Sequence, residues 1–105
     1  MEVLDDTAVQ SALRELPGWM REGDEIVETY EFDNFRSAMA FVDRVAEAAE
    51  AANHHPDIDI RYNKVTLRLT SHDSGGLTEK DTSLARRIDR LTGEHGHPPG
   101  MAGPA

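Results

Sequence analysis

The stretch Glu50-Ala-Ala-Asn-His54-His55-Pro56-Asp-Ile-Asp-Ile-Arg-Tyr62-Asn-Lys-Val-Thr-Leu-Arg-Leu-Thr-Ser71-His72-Asp-Ser-Gly-Gly-Leu-Thr-Glu-Lys-Asp81 decides how this chain folds. Ile58, Ile60 and Tyr62 alternate with Asp59 and Arg61. Val65, Leu67, Leu69 and Ser71 then alternate with Thr66, Arg68, Thr70 and His72. Period-two patterning marks half-buried strands, and only Asn63-Lys64 separates the two runs, so they predict a hairpin. A hairpin of this length returns His72, on its polar face, towards His54 and His55. Three of the five histidines therefore converge. Imidazole gives and takes protons near neutral pH, so the convergence is a candidate site on residue chemistry alone.

Upstream, Phe35, Ala38, Met39, Val42, Val45, Ala46 and Ala49 form one stripe of a helix expected over residues 34–52, with Asp33 as its N-cap. Asn53 tolerates a left-handed end, and Pro56 bars continuation, which puts His54 and His55 in the turn after the helix. Before that helix, Ile26, Glu28, Tyr30 and Phe32 alternate with Val27, Thr29 and Glu31, a strand in which Glu28 is out of pattern. Trp19 to Arg21 supplies a partner strand across the turn Glu22-Gly23-Asp24. The chain opens with a helix capped by Asp6 or Thr7, carrying Val9, Ala12, Leu13 and Leu16, and stopped at Pro17-Gly18.

Downstream, Ser74-Gly75-Gly76 is a flexible connection. Thr78-Glu-Lys-Asp81 reads as a capping box opening a last helix with Leu84, Ala85, Ile88 and Leu91 inward. The expectation is one α+β domain over residues 1–92, ordered α-β-β-α-β-β-α: a four-stranded antiparallel sheet with helices packed on one face. Residues 93–105 are expected to form a disordered Gly/Pro-rich tail, so His95 and His97 receive no role.

Composition narrows the function. The 105 residues carry a net charge of -9, which disfavours nucleic acid and anionic membrane surfaces as partners. No cysteine is present, which suits a reducing compartment, and the acidic N-terminus lacks a secretory pattern. A cytoplasmic protein is expected.

With these residues in view, the chain resembles the pterin-4a-carbinolamine dehydratases from Trp19 to about Leu91. The resemblance rests on Glu50-x3-His54-His55-Pro56, then five residues to Tyr62, nine to His72 and eight to Asp81. Gly18-Trp19, Phe32-x2-Phe35, Tyr62-Asn-Lys-Val65 and Gly75-Gly76-Leu77-Thr78 are less specific agreements. It implies a four-stranded antiparallel sheet covered by helices, assembled as a homodimer or homotetramer. It also implies dehydration of 4a-hydroxytetrahydrobiopterin, the spent cofactor of aromatic amino-acid hydroxylases, to quinonoid dihydropterin, with no metal and no other cofactor. Ser71 stands where many members have threonine and keeps the hydroxyl. Ile58 stands where some animal members have tryptophan.

The resemblance assigns acid–base roles to His54 and His72, and pterin binding to His55 with Glu50, Ser71 and Asp81. Pro56 and Tyr62 are expected to be structural. On the residues alone, Glu50 is either an exposed carboxylate or the group that orients His54. Asp81 is by its position first a helix cap, and Tyr62 can simply end its strand in the core. A three-histidine zinc site is the alternative chemistry, although adjacent histidines rarely both reach one ion. From another class, a non-catalytic dimerisation or chaperone module is the alternative, and the intact histidines argue against it.

Overall fold

The computed structural model describes residues 1–95. Its elements are α1 (Asp6–Arg14), β1 (Met20–Glu22), β2 (Glu25–Glu31), α2 (Phe35–Ala52), β3 (Asp57–Arg61), β4 (Lys64–Leu69), a 3-10 turn (His72–Ser74) and α3 (Glu79–His95). The order is the one the periodicity predicts. The strands pair antiparallel in the order β1-β2-β4-β3, which leaves β1 and β3 as edges.

Register explains which side chains go inside. Ile26, Glu28 and Tyr30 lie opposite Leu69, Leu67 and Val65, and this face is buried. On the other face Thr29 faces Thr66, and their hydroxyls bond at 2.8 Å. From α2, Phe41 reaches this core, with its ring centroid 4.8 Å from Tyr30 and 5.0 Å from Phe32. Leu84, Ala85 and Ile88 of α3 close the layer as expected, and α2 packs chiefly against α3.

Several local expectations are corrected. Asp5, rather than Asp6 or Thr7, caps α1 by accepting from the Ala8 N–H. Asn34, rather than Asp33, caps α2 by accepting from Ser37. The buried stripe of α2 is Ala38, Phe41, Val45, Ala48 and Ala49, while Phe35 and Ala46 face outward. The β3–β4 hairpin turns at Tyr62-Asn63, since Arg61 already pairs with Lys64. Tyr62 consequently holds φ at 52° and is 67% exposed, so it does not end its strand in the core. Ile58 and Ile60 share the core-facing side with Leu67 and Val65, yet remain 40% and 37% exposed because they stand on the uncovered edge. Helix α3 continues to His95, past the expected domain end at residue 92. The rest of the expected tail, residues 96–105, lies outside the described residues.

The out-of-pattern Glu28 is buried all the same, at 2% exposure, and among the described residues neither carboxyl oxygen has a hydrogen-bond partner. Burial, reinforced by the negative charge of Asp89, pushes its carboxyl up to about 8. Asp89 Oδ1 accepts from the Tyr30 hydroxyl at 2.6 Å and the Trp19 indole N–H at 3.0 Å, which ties α3 to β2. Gly18 is required beside this group, because a Cβ there would stand 1.8 Å from Glu28 Oε2.

Candidate active site

The C-terminus of α2 sets the first histidine. Asn53 adopts the left-handed conformation (φ 51°, ψ 43°), and the His54 N–H then reaches back to the Ala49 carbonyl at 3.1 Å. This αL ending satisfies orphan carbonyls of the helix and fixes where the His54 side chain departs. Pro56, half-buried, follows at the start of β3.

The opposite wall comes from the segment between β4 and α3. Ser71 and Gly76 exchange backbone hydrogen bonds at 3.2 and 3.3 Å around the 3-10 turn. Gly75 supplies the positive φ of 84° that closes this turn, a conformation costly for other residues. Thr78 and Asp81 then form the expected capping box. Asp81 Oδ2 accepts from the Thr78 N–H at 2.9 Å and the Ser71 hydroxyl at 2.8 Å, and Thr78 Oγ1 accepts from the Lys80 N–H at 3.2 Å.

Asp81 does more than cap. Its other oxygen, Oδ1, lies 2.5 Å from His54 Nε2, with the His54 side chain 12% exposed and Asp81 0%. A carboxylate in that position accepts the Nε2 proton, which leaves Nδ1 as the ring atom free to exchange protons. Two donors, the Thr78 N–H and the Ser71 hydroxyl, thus hold one carboxylate so that it can hold one imidazole.

The other predicted residues fall differently. Glu50 does not orient His54; its Oε2 lies 2.5 Å from Nε2 of His55, with both side chains largely exposed. Ser71 and Asp81 are buried behind His54 rather than on open surface. His72 begins the 3-10 turn instead of extending β4, its carbonyl accepting from the Gly75 N–H at 3.2 Å; it is exposed, and its side chain makes no hydrogen bond or ion pair among the described residues. It follows directly on Ser71, which shares Asp81 with His54. Tyr62 lies at the far turn of the hairpin, about 17 Å along a five-residue strand from the His54 end.

Thr78 was legible only as a cap, yet it is also bonded to Ser71 at 2.8 Å and completes the support of Asp81. A groove of about 350 Å3 opens beside His54, lined also by Ala52, Glu79, Lys80, Ser83 and Arg87. No sequence motif marked Lys80 or Arg87. Among the described residues no three His, Cys, Asp or Glu side chains are grouped to hold a metal ion, and no helix is long and apolar enough to cross a membrane.

Comparison with known proteins bears on the family and the fold. A family model described as pterin 4 alpha carbinolamine dehydratase matches residues 2–91. A protein of Thermomicrobium roseum provisionally named pterin-4-alpha-carbinolamine dehydratase is 60% identical over 91 residues, covering 87% of this chain and 98% of its own. A Nocardia farcinica protein with the same provisional name is 56% identical over 90 residues, covering 86% and 95%. Among solved structures, a transcriptional coactivator/pterin dehydratase from Brucella melitensis superposes with a TM-score of 0.84 at 32% identity, covering 88% of this chain and all of that one.

Proposed function

The chain belongs to the pterin 4 alpha carbinolamine dehydratase family, and from that premise we propose that it dehydrates 4a-hydroxytetrahydrobiopterin to quinonoid dihydropterin by histidine acid–base catalysis. The observation that carries the mechanism is the His54 Nε2–Asp81 Oδ1 contact of 2.5 Å, with Asp81 fully buried. His54, its Nε2–H spent on Asp81, takes the proton from the ring nitrogen next to C4a through Nδ1. The N–H electron pair becomes the new C=N bond, and the C4a–O bond breaks. His72, exposed and next in sequence to Ser71, supplies the proton with which the hydroxyl leaves as water. His55, steadied by Glu50, holds the ring. The product re-enters the recycling of the cofactor of aromatic amino-acid hydroxylases.

Asp81→Asn tests the carrying observation. An amide donates to Nε2 instead of accepting from it, which puts the imidazole proton on Nδ1 and removes the free acceptor. The expected result is a fall in kcat of ~10²-fold or more with KM changed only a few-fold. An unchanged kcat in a folded variant would show that Asp81 merely caps α3.

The sheet edge bears on assembly. All five residues of β3 are exposed, Ile58 and Ile60 among them. Uncovered apolar edges pair readily, so a second copy of this chain is the proposed occupant, giving a homodimer or homotetramer. Light scattering at micromolar concentration should return a multiple of the 11.6 kDa chain mass. A monomer mass would contradict it.

A further inference from the structure

The groove beside His54 is separate from His55 and His72, which do not line it. Two of its walls are cationic: Lys80 and Arg87, both exposed on α3. Neither makes an ion pair among the described residues, in a chain whose net charge is -9. One carboxylate, Glu79, shares the lining, so the groove keeps a positive balance. His54 belongs both to this groove and to the reacting centre. On the dehydratase reading, the substrate atoms beside His54 are C4a and its neighbouring ring nitrogen. The next ring carbon, C6, carries the pterin side chain, which a substrate bound at His54 can direct into the groove. A volume of about 350 Å3 is ample for a short substituent.

We propose that Lys80 and Arg87 form a subsite for an anionic C6 substituent, a phosphate ester or a carboxylate, and so decide which reduced pterin this enzyme prefers. The inference rests on the dehydratase reading and deepens it. Ammonium and guanidinium groups recognise phosphate and carboxylate oxygens through charge-assisted hydrogen bonds. Ser83, on the same wall, adds a hydroxyl donor.

The test compares kcat/KM for three 4a-hydroxytetrahydropterins: a neutral polyhydroxypropyl side chain, its phosphate monoester, and a 6-carboxylate. At low salt an anionic substrate should exceed the neutral one by about tenfold, as expected of two partly exposed charge pairs. The advantage should shrink as salt rises and fall to about one in Lys80→Gln/Arg87→Gln. Preference for the phosphate alone identifies an ester as the natural group, and an equal gain for the carboxylate shows that charge alone is read. Equal rates for all three, or an advantage that survives the double substitution, would overturn the subsite. If no pterin reacts, the dehydratase reading fails. Calorimetric binding of the stable 7,8-dihydropterin phosphate and its neutral parent then reads the subsite directly. A tenfold difference in Kd lost in the double variant sustains it, and no difference overturns it.

Discussion

His54→Ala and His72→Ala should each lower kcat by ~10²-fold or more, the usual contribution of a positioned acid or base. The two act on one bond rearrangement, so removing both should cost less than the product of the single effects. His55→Ala should act mainly through KM. Its ring is exposed and joined to exposed Glu50, whereas His54 is held by a buried carboxylate. Stopped-flow dehydration of a freshly generated 4a-hydroxytetrahydropterin separates these effects. Wild-type kcat in both single variants would refute the acid–base assignment, and a loss of kcat rather than a rise of KM in His55→Ala would move that residue into the chemistry.

Unfolding free energy should fall as pH rises from about 4.5 to about 8, because Glu28 stays neutral in the fold up to about 8 but ionises near 4.5 once unfolded. Below pH 4.5 the group is neutral in both states and contributes nothing; above 8 the full cost is present. The interval corresponds to an upper value of about 5 kcal/mol. The groups that face it are Asp89 from α3, Tyr30 from the same strand and the Gly18 backbone. Burial, with Glu28 and Asp89 alongside, pushes the Tyr30 phenol up, so it remains a donor to Asp89. Glu28→Gln keeps the shape without a titrating proton. Denaturant unfolding should show the variant more stable than wild type at pH 8, by up to a few kcal/mol, and nearly equal to it at pH 4. Other acidic groups titrate in both proteins, so the difference between them isolates Glu28. Parallel curves would mean that the carboxylate is already ionised inside the fold. Gly18→Ala should destabilise at every pH, because its Cβ would collide with Glu28 Oε2.

Much of the fold was legible because strand and helix periods differ sharply. The alternation of Ile26, Tyr30, Val65, Leu67 and Leu69 specified the sheet face that is buried. Phase was harder to read than period. In α2, alanines and valines lie on several sides, so the stripe could be drawn with Phe35 and Ala46 although Phe41 carries the packing. The caps slipped by one residue because Asp5 and Asp6, like Asp33 and Asn34, are neighbouring residues of similar capping strength. The turn slipped because Tyr62 occupies a left-handed conformation that its own preference disfavours, and strand pairing overrides it. Exposure of Ile58 and Ile60 follows from edge position, which alternation does not encode.

For the site, spacing named the histidines but not their partners. Asp81 was readable as a local cap, while its bond to His54 spans 27 residues and depends on how the hairpin and α3 converge. With His54 taken by Asp81, Glu50 meets His55, five residues on, instead of the expected His54. The buried Glu28 left only a break in a pattern, and the half-buried Asp89 left none. Lys80 and Arg87 look, in sequence, like any solvated helix face.

The most direct measurement of the central claim is the dehydration rate of a freshly generated 4a-hydroxytetrahydropterin with wild-type protein dialysed exhaustively against a chelator. Acid–base catalysis by His54 and His72 predicts a rate well above the uncatalysed one and unchanged by dialysis. A rate no greater than the uncatalysed reaction, or activity abolished by the chelator and restored by zinc, would contradict it.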